Sequence, residues 1–207
     1  VPAMSEVLQQ TVAQACKPLL QIEIKSLRAQ NRSLYPELTL EHWFHQLLAH
    51  GFRRQVILHR RNGLRRLVSH LMAQSSGVFV QSAAEPLAQR PALFIDTTAI
   101  QEGAETHDLL HWLDLYATTH QQLVEALERF CASQALPAPL QLVYEESLEA
   151  DPQVAYRQLC AWLELEPEPV TLLHRRINPE PLPQLIANWE EICGLVEPTP
   201  YAWMLAA

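Results

Sequence analysis

The stretch Arg54–Gln74, RQVILHRRNGLRRLVSHLMAQ, decides how the chain is to be folded. Val56, Ile57 and Leu58 form a short apolar, β-branched run of the kind that fills a buried parallel strand. Leu64, Leu67, Val68 and Leu71 then recur at helical spacing, so the strand is followed at once by an amphipathic helix. Between the two stand His59, Arg60, Arg61 and Asn62. Asn62 is a good N-cap, because its side-chain oxygen can accept from a free amide of the first turn. The start of a helix carries partial positive charge and unpaired N–H groups, so cations beside it are destabilising unless an anion sits among them. Arg61 and the helix start therefore predict a phosphate seat, to which Ser69, two turns on, can add a hydroxyl. Arg60, Arg65 and Arg66 read as a solvated face, the ordinary place for arginine.

Outward from this stretch, LQIEIKSL around Ile22 to Ile24 and LQLVYEE around Leu142 to Tyr144 have the same buried-strand character, and PALFIDT (Pro91–Thr97) reads as an edge strand. Helices are predicted between them. TLEHWFHQLLAHGF places Trp43, Phe44, Leu47 and Leu48 on one face and stops at Gly51. Thr106–Ser133 reads as one long amphipathic helix, and DPQVAYRQLCAWLEL opens a further helix with Pro152 in its first turn. Val80–Arg90 reads as a polar surface loop. Alternation of strand and helix predicts an α/β fold, a doubly wound and mostly parallel sheet flanked by helices, in one domain over residues 1–207. Right-handed crossovers then gather the C-terminal strand ends, and any ligand, along one edge.

Composition narrows the function classes. A net charge of −8, with 48% hydrophobic and 18% charged residues, suits a folded globular chain and excludes a disordered one. An acidic chain lacks the spread of phosphate-facing cations that bulk nucleic-acid binding needs, so no nucleic-acid partner is expected. No run approaches the roughly 18 apolar residues of a membrane helix, and the first twenty residues lack the features of a signal peptide. A soluble, cytoplasmic protein without a membrane partner is expected. Cys16, Cys131, Cys160 and Cys193 are scattered without a CxxC pair and read as buried, reduced thiols rather than as zinc ligands or disulfides. His107 and His111 in HDLLH stand one helical turn apart, but neither a glutamate after the first histidine nor a third ligand is in view, and no metal is expected. Glycine is scarce: five residues, none before Gly51, against an average usage of ~7%.

At this point VILHRRNGLRRLVS resembles the segment of 3'-phosphoadenosine-5'-phosphosulfate-dependent sulfotransferases that holds the 3'-phosphate of the cofactor. Arg61 and Ser69 match the family's arginine and serine. LVYEESLEADPQVAYRQLCAWLEL is similar to the family's strand end and following helix, and IANWEEICGLVEPTPYAWML to the C-terminal segment of bacterial members. Together these cover most of the chain from about Gln21 onward. The resemblance implies transfer of a sulfuryl group to a hydroxyl or amine, on a small-molecule or glycan acceptor. It implies Arg61 and Ser69 as cofactor-binding residues, with adenosine 3',5'-bisphosphate as product. Lys25, at the end of QIEIK, matches a lysine that several members place near the transferred group and is the catalytic candidate. The basic pair Arg175 and Arg176 stands where members often close a late basic loop over the cofactor, without that loop's glycines.

The chain departs from the family in two places. The glycine- and serine-rich loop that cradles the phosphosulfate has no counterpart in Val1–Leu20, and the slot of the histidine base holds Leu27. The expectation is a P-loop-like sulfotransferase fold without the loop, whether by N-terminal truncation or by nature. The alternative function is a non-catalytic nucleotide-binding or interaction module that keeps the scaffold. A nucleotide kinase of related fold is disfavoured, since it too needs a glycine-rich loop.

Overall fold

The computed structural model describes residues 2–16, 20–23, 34–85 and 90–206. Among these residues the protein is mixed α/β, with eight α-helices and four short strands. They divide into two compact units, each gathered from three separate segments of the chain.

The first unit takes Val1–His59, Gln101–Glu105 and Leu115–Leu142. It opens with α1 (Met4–Ala13) and α2 (Leu40–Ala49). Thr39 caps α2 by accepting from the His42 amide at 3.2 Å, and Gly51, at φ +90°, takes the left-handed turn that ends it. Strand β1 (Val56–His59) pairs in parallel with β4 (Leu140–Val143). Phe44, Ile57, Leu127, Phe130 and Cys131 close one apolar cluster, and Met4, Leu8, Trp43 and Leu47 another. Leu127, Phe130 and Cys131 come from α4 (Leu109–Ser133), the long helix expected from its pattern, whose later residues belong to this unit.

The second unit takes Arg60–Ile100, Thr106–Asp114 and Val143–Ala207. Its first helix, α3 (Gly63–Ser76), is capped as expected: the Asn62 side chain accepts from the Arg65 amide at 2.8 Å, and Gly77 closes the helix in the left-handed region at φ 69°. Strands β2 (Ile100–Glu102) and β3 (Glu105–His107) form a hairpin that turns at Gly103, φ 62°, and whose residues Gln101–Glu105 belong to the first unit. Asp108 then caps the start of α4, accepting from the His111 amide at 2.8 Å. The short α5 (Tyr144–Ser147) meets α6 (Pro152–Leu163), which Asp151 caps and Pro152 opens. After α7 (Leu182–Leu185) and α8 (Trp189–Val196), a 3₁₀ turn at Ala202–Ala206 packs on both α3 and α8. Leu64, Leu67, Val68, Trp112, Leu113, Leu182 and Ile192 are fully buried in this unit, and the Trp112 indole donates to the Ile100 carbonyl at 2.9 Å.

Several expectations need revision. Among the described residues the parallel sheet has two strands rather than the many of a doubly wound sheet. Ile22 and Glu23 are irregular, and Ile24 lies outside the described residues. PALFIDT contributes one parallel bridge, Leu93 to Ile186, with amide-to-carbonyl bonds of 2.8 Å on either side, instead of an edge strand. Tyr144 begins a helical turn where the strand was expected to continue. Cys131 and Cys160 are buried, but Cys16 is exposed; all four thiols are free. No helix among the described residues is long and apolar enough to cross a membrane.

Candidate functional site

Within the second unit, Arg60, Arg61 and Asn62 lie against Tyr144, Glu145 and Glu146. The Glu145 carboxylate accepts from the Arg61 amide and the Asn62 amide, both at 2.9 Å. Burial alone would raise the Glu145 pKa, but the two amides and the charge of Arg60 overcome it and hold the carboxyl below its ordinary value. Asn62, itself 1% exposed, donates from Nδ2 to the Met204 carbonyl at 2.8 Å while capping α3. Just before α3, then, the chain's own carboxylate takes the Arg61 and Asn62 amides.

The two cofactor-binding candidates have different partners. Arg61 is exposed and its guanidinium pairs with the Glu146 carboxylate. The Ser69 hydroxyl accepts instead from Arg60 Nη1 at 3.2 Å. Arg60 is half-buried, with its guanidinium carbon 4.4 Å from the centre of the Tyr144 ring, a cation–π arrangement. Lys25, the catalytic candidate, lies outside the described residues.

Two arginines assigned from sequence to a solvated face are turned inward, which corrects that reading. Arg65 is only 5% exposed, and its Nη2 faces the carbonyl oxygens of Asn178, Pro179 and Glu180 at 3.3, 3.4 and 2.6 Å. Arg60 joins it. Burial pushes the Arg60 pKa below its ordinary value, with Tyr144 pulling upward and Arg176 adding to the drop; burial likewise lowers Arg65, helped by Arg176 and Arg60. Both stay charged, as a guanidinium does in proteins. Arg176 pairs with Glu149 at 2.6 Å. Sequence reading could not have found this group from spacing, because Arg65 meets carbonyls 113 to 115 positions away.

His107 and His111 stack ring on ring at 3.9 Å and 23°, and among the described residues no group of three or more histidine, cysteine, aspartate or glutamate side chains is placed to hold a metal ion. The five glycines are also accounted for: only Gly63 stands at a strand-to-helix turn, and the amides beside it at Arg61, Asn62 and Arg65 are already engaged. The residues fit a phosphate group through arginine and serine side chains; they do not offer an open backbone cradle for a phosphosulfate at this turn. Comparison with protein-family models, curated proteins and solved structures finds no match to this chain.

Proposed function

We propose that this chain is a sulfotransferase-like protein that binds 3'-phosphoadenosine-5'-phosphosulfate by its 3'-phosphate and serves transfer of the sulfuryl group to a hydroxyl or amine of a small-molecule or glycan acceptor. On this reading β1 and β4 belong to a wider, doubly wound sheet, and the protein works in the cytoplasm. One observation carries the reading: immediately after a parallel strand, a half-buried arginine, Arg60, donates to a helix hydroxyl, Ser69, beside a second arginine, Arg61. That arrangement offers a phosphate oxygen both a cation and a hydroxyl on one side of a helix start. In such a transfer the acceptor atom bonds to sulfur as the bond from sulfur to the bridging oxygen breaks, so the departing phosphate needs cations and the acceptor proton a base. Lys25 remains the residue proposed near the transferred group, on resemblance alone.

A second reading, the non-catalytic binding module, is favoured by Glu145, which occupies the amides that an anionic ligand would otherwise use. Calorimetry tests the phosphate reading common to both. Adenosine 3',5'-bisphosphate should bind at least 10-fold more tightly than adenosine 5'-monophosphate, since one charge-assisted contact set typically contributes ~1.5–3 kcal/mol. Equal affinity for the two nucleotides would sink it. Labelled sulfuryl transfer to phenol, sugar and amine acceptors then separates the enzyme from the module.

A further inference from the structure

The second unit buries arginine nitrogens that meet no hydrogen-bond partner among the described residues: Arg60 Nε, Arg65 Nη1 and Arg176 Nε, with Arg90 Nη1 and Arg175 Nε besides. A buried N–H of a cation left unmade is costly, because its hydration is lost and nothing replaces it. Arg60, Arg65 and Arg176 are joined by a closed series of contacts. Arg65 and Arg60 flank the start of α3; Arg65 grips the carbonyls of residues 178–180, directly after Arg176; Arg176 reaches Glu149, on the segment that begins with Tyr144; and Tyr144 lies under Arg60. The guanidiniums are near enough to repel one another, Arg65 feeling both Arg176 and Arg60. Glu145 and Glu149 are the carboxylates beside the group, so three cations face two anions. A net positive charge remains.

We propose that the guanidiniums of Arg60, Arg65 and Arg176 form the seat of a tetrahedral oxyanion, a phosphate ester or sulfate group, with Ser69 beside it. The proposal rests on the phosphate-ligand reading above and changes its residues: the guanidinium that sequence matching selects, Arg61, is the outer one, and three others hold the charge. An anion offsets the remaining positive charge of the group. The planar guanidinium fork suits two oxygens of one tetrahedral group, which lysine would not reproduce.

The test uses the full chain and four probes at constant ionic strength: inorganic phosphate at pH 8, sulfate, nitrate and adenosine 3',5'-bisphosphate, followed by calorimetry and thermal shift. Phosphate and sulfate should bind at least 10-fold more tightly than nitrate. Arg60→Gln and Arg176→Gln should each weaken phosphate and bisphosphate 10-fold or more, Arg61→Gln by clearly less, and the surface control Arg157→Gln should have no effect. Arg65→Lys, whose anchoring of residues 178–180 makes it the variant most prone to misfold, is read only if its circular dichroism is native; Arg60 and Arg176 decide the matter without it. If phosphate and sulfate do not bind, or bind Arg60→Gln and Arg176→Gln as tightly as the parent, the seat is wrong. Bisphosphate binding that depends on Arg61 and ignores Arg60 and Arg176 overturns the seat and leaves the nucleotide reading standing. Inorganic anions bound through Arg60 and Arg176, with no bisphosphate binding, uphold the seat and end the nucleotide reading.

Discussion

In the first unit Glu102, 1% exposed, accepts the hydroxyl of Tyr116, while in the second Arg65, 5% exposed, leaves Nη1 without a partner among the described residues. The contrast extends beyond these two. The first unit is closed by apolar clusters around Phe44 and Phe130 and around Trp43 and Leu47, and Trp43 Nε1 is its one unpartnered nitrogen among those identified. The second unit has an apolar interior of its own, yet it also draws in Asn62, Arg65, Gln81, Thr97, Ser147 and Asn178. Asn62 and Ser147 are satisfied by bonds within the unit. The arginines are satisfied only in part: Arg65 anchors residues 178–180, yet Arg60 Nε, Arg65 Nη1 and Arg176 Nε meet no partner among the described residues, which carries a desolvation cost. Uncompensated charge is tolerated where it serves a ligand, so on the proposed reading binding falls to the second unit.

The largest test of that division is Phe130→Ala. Phe130 lies 5.4 Å from Phe44 and 4.9 Å, edge to face, from His45, and truncation should cost about 3–5 kcal/mol by denaturant unfolding. Phosphate affinity of the folded fraction should change less than about 3-fold, as expected for a site without shared partners. A large loss of affinity in the folded protein would show that the two units cannot be assigned separate duties. Asn62→Ala comes next. It removes the cap of α3 and leaves the Met204 carbonyl without its donor, so a loss of about 1–3 kcal/mol is expected. Arg60→Met then asks the opposite question: it keeps an apolar stem against Tyr144 and removes the charge, so ligand-free stability should lie between unchanged and about 1 kcal/mol higher. A clear loss would make Arg60 a structural residue and remove the contrast with the first unit.

What could be read from sequence divides along the same physical line. Thr39, Gly51, Asn62 and the Asp151-Pro152 pair act within three or four residues, so helix ends were legible from local chemistry. The strand Val56–Leu58 and the run ending in Val143 were legible too, because buried parallel strands are continuously apolar. Pairing was not. Whether Leu93 forms a strand or a single bridge depends on Ile186, and nothing near Leu93 encodes that. At the site, Asn62 was legible as the cap of α3, but the carboxylate that takes its own amide, Glu145, lies 83 residues on. The inward turn of Arg65 was hidden for the same reason, since a run of arginines on a helix has the same pattern whether solvent or carbonyls from a distant segment receive it.

The smallest expected effect on stability concerns Glu145, and it depends on pH. Its folded pKa lies below the ordinary value of 4.5, because two amides and Arg60 favour the carboxylate more than burial opposes it. Between the folded and unfolded values the unfolded chain binds more protons, so stability rises with pH across that window. The contribution of Glu145 is therefore complete above its unfolded pKa and is lost as pH falls through the lower, folded one. Glu145→Gln keeps one acceptor oxygen, so one of the Arg61 and Asn62 amides faces an NH2 that cannot accept, and the side chain cannot titrate. It should be less stable than the parent at pH 7 by up to about 1 kcal/mol, and it should lose less stability than the parent between pH 5 and pH 2. Removing the resident charge also takes an anion away from Arg60, so phosphate should bind the Gln variant more tightly than the parent at pH 8. Parallel acid profiles for the two proteins would mean that Glu145 is not held by these amides in solution, and weaker phosphate binding by the variant would mean that the carboxylate helps to shape the seat rather than competing for it.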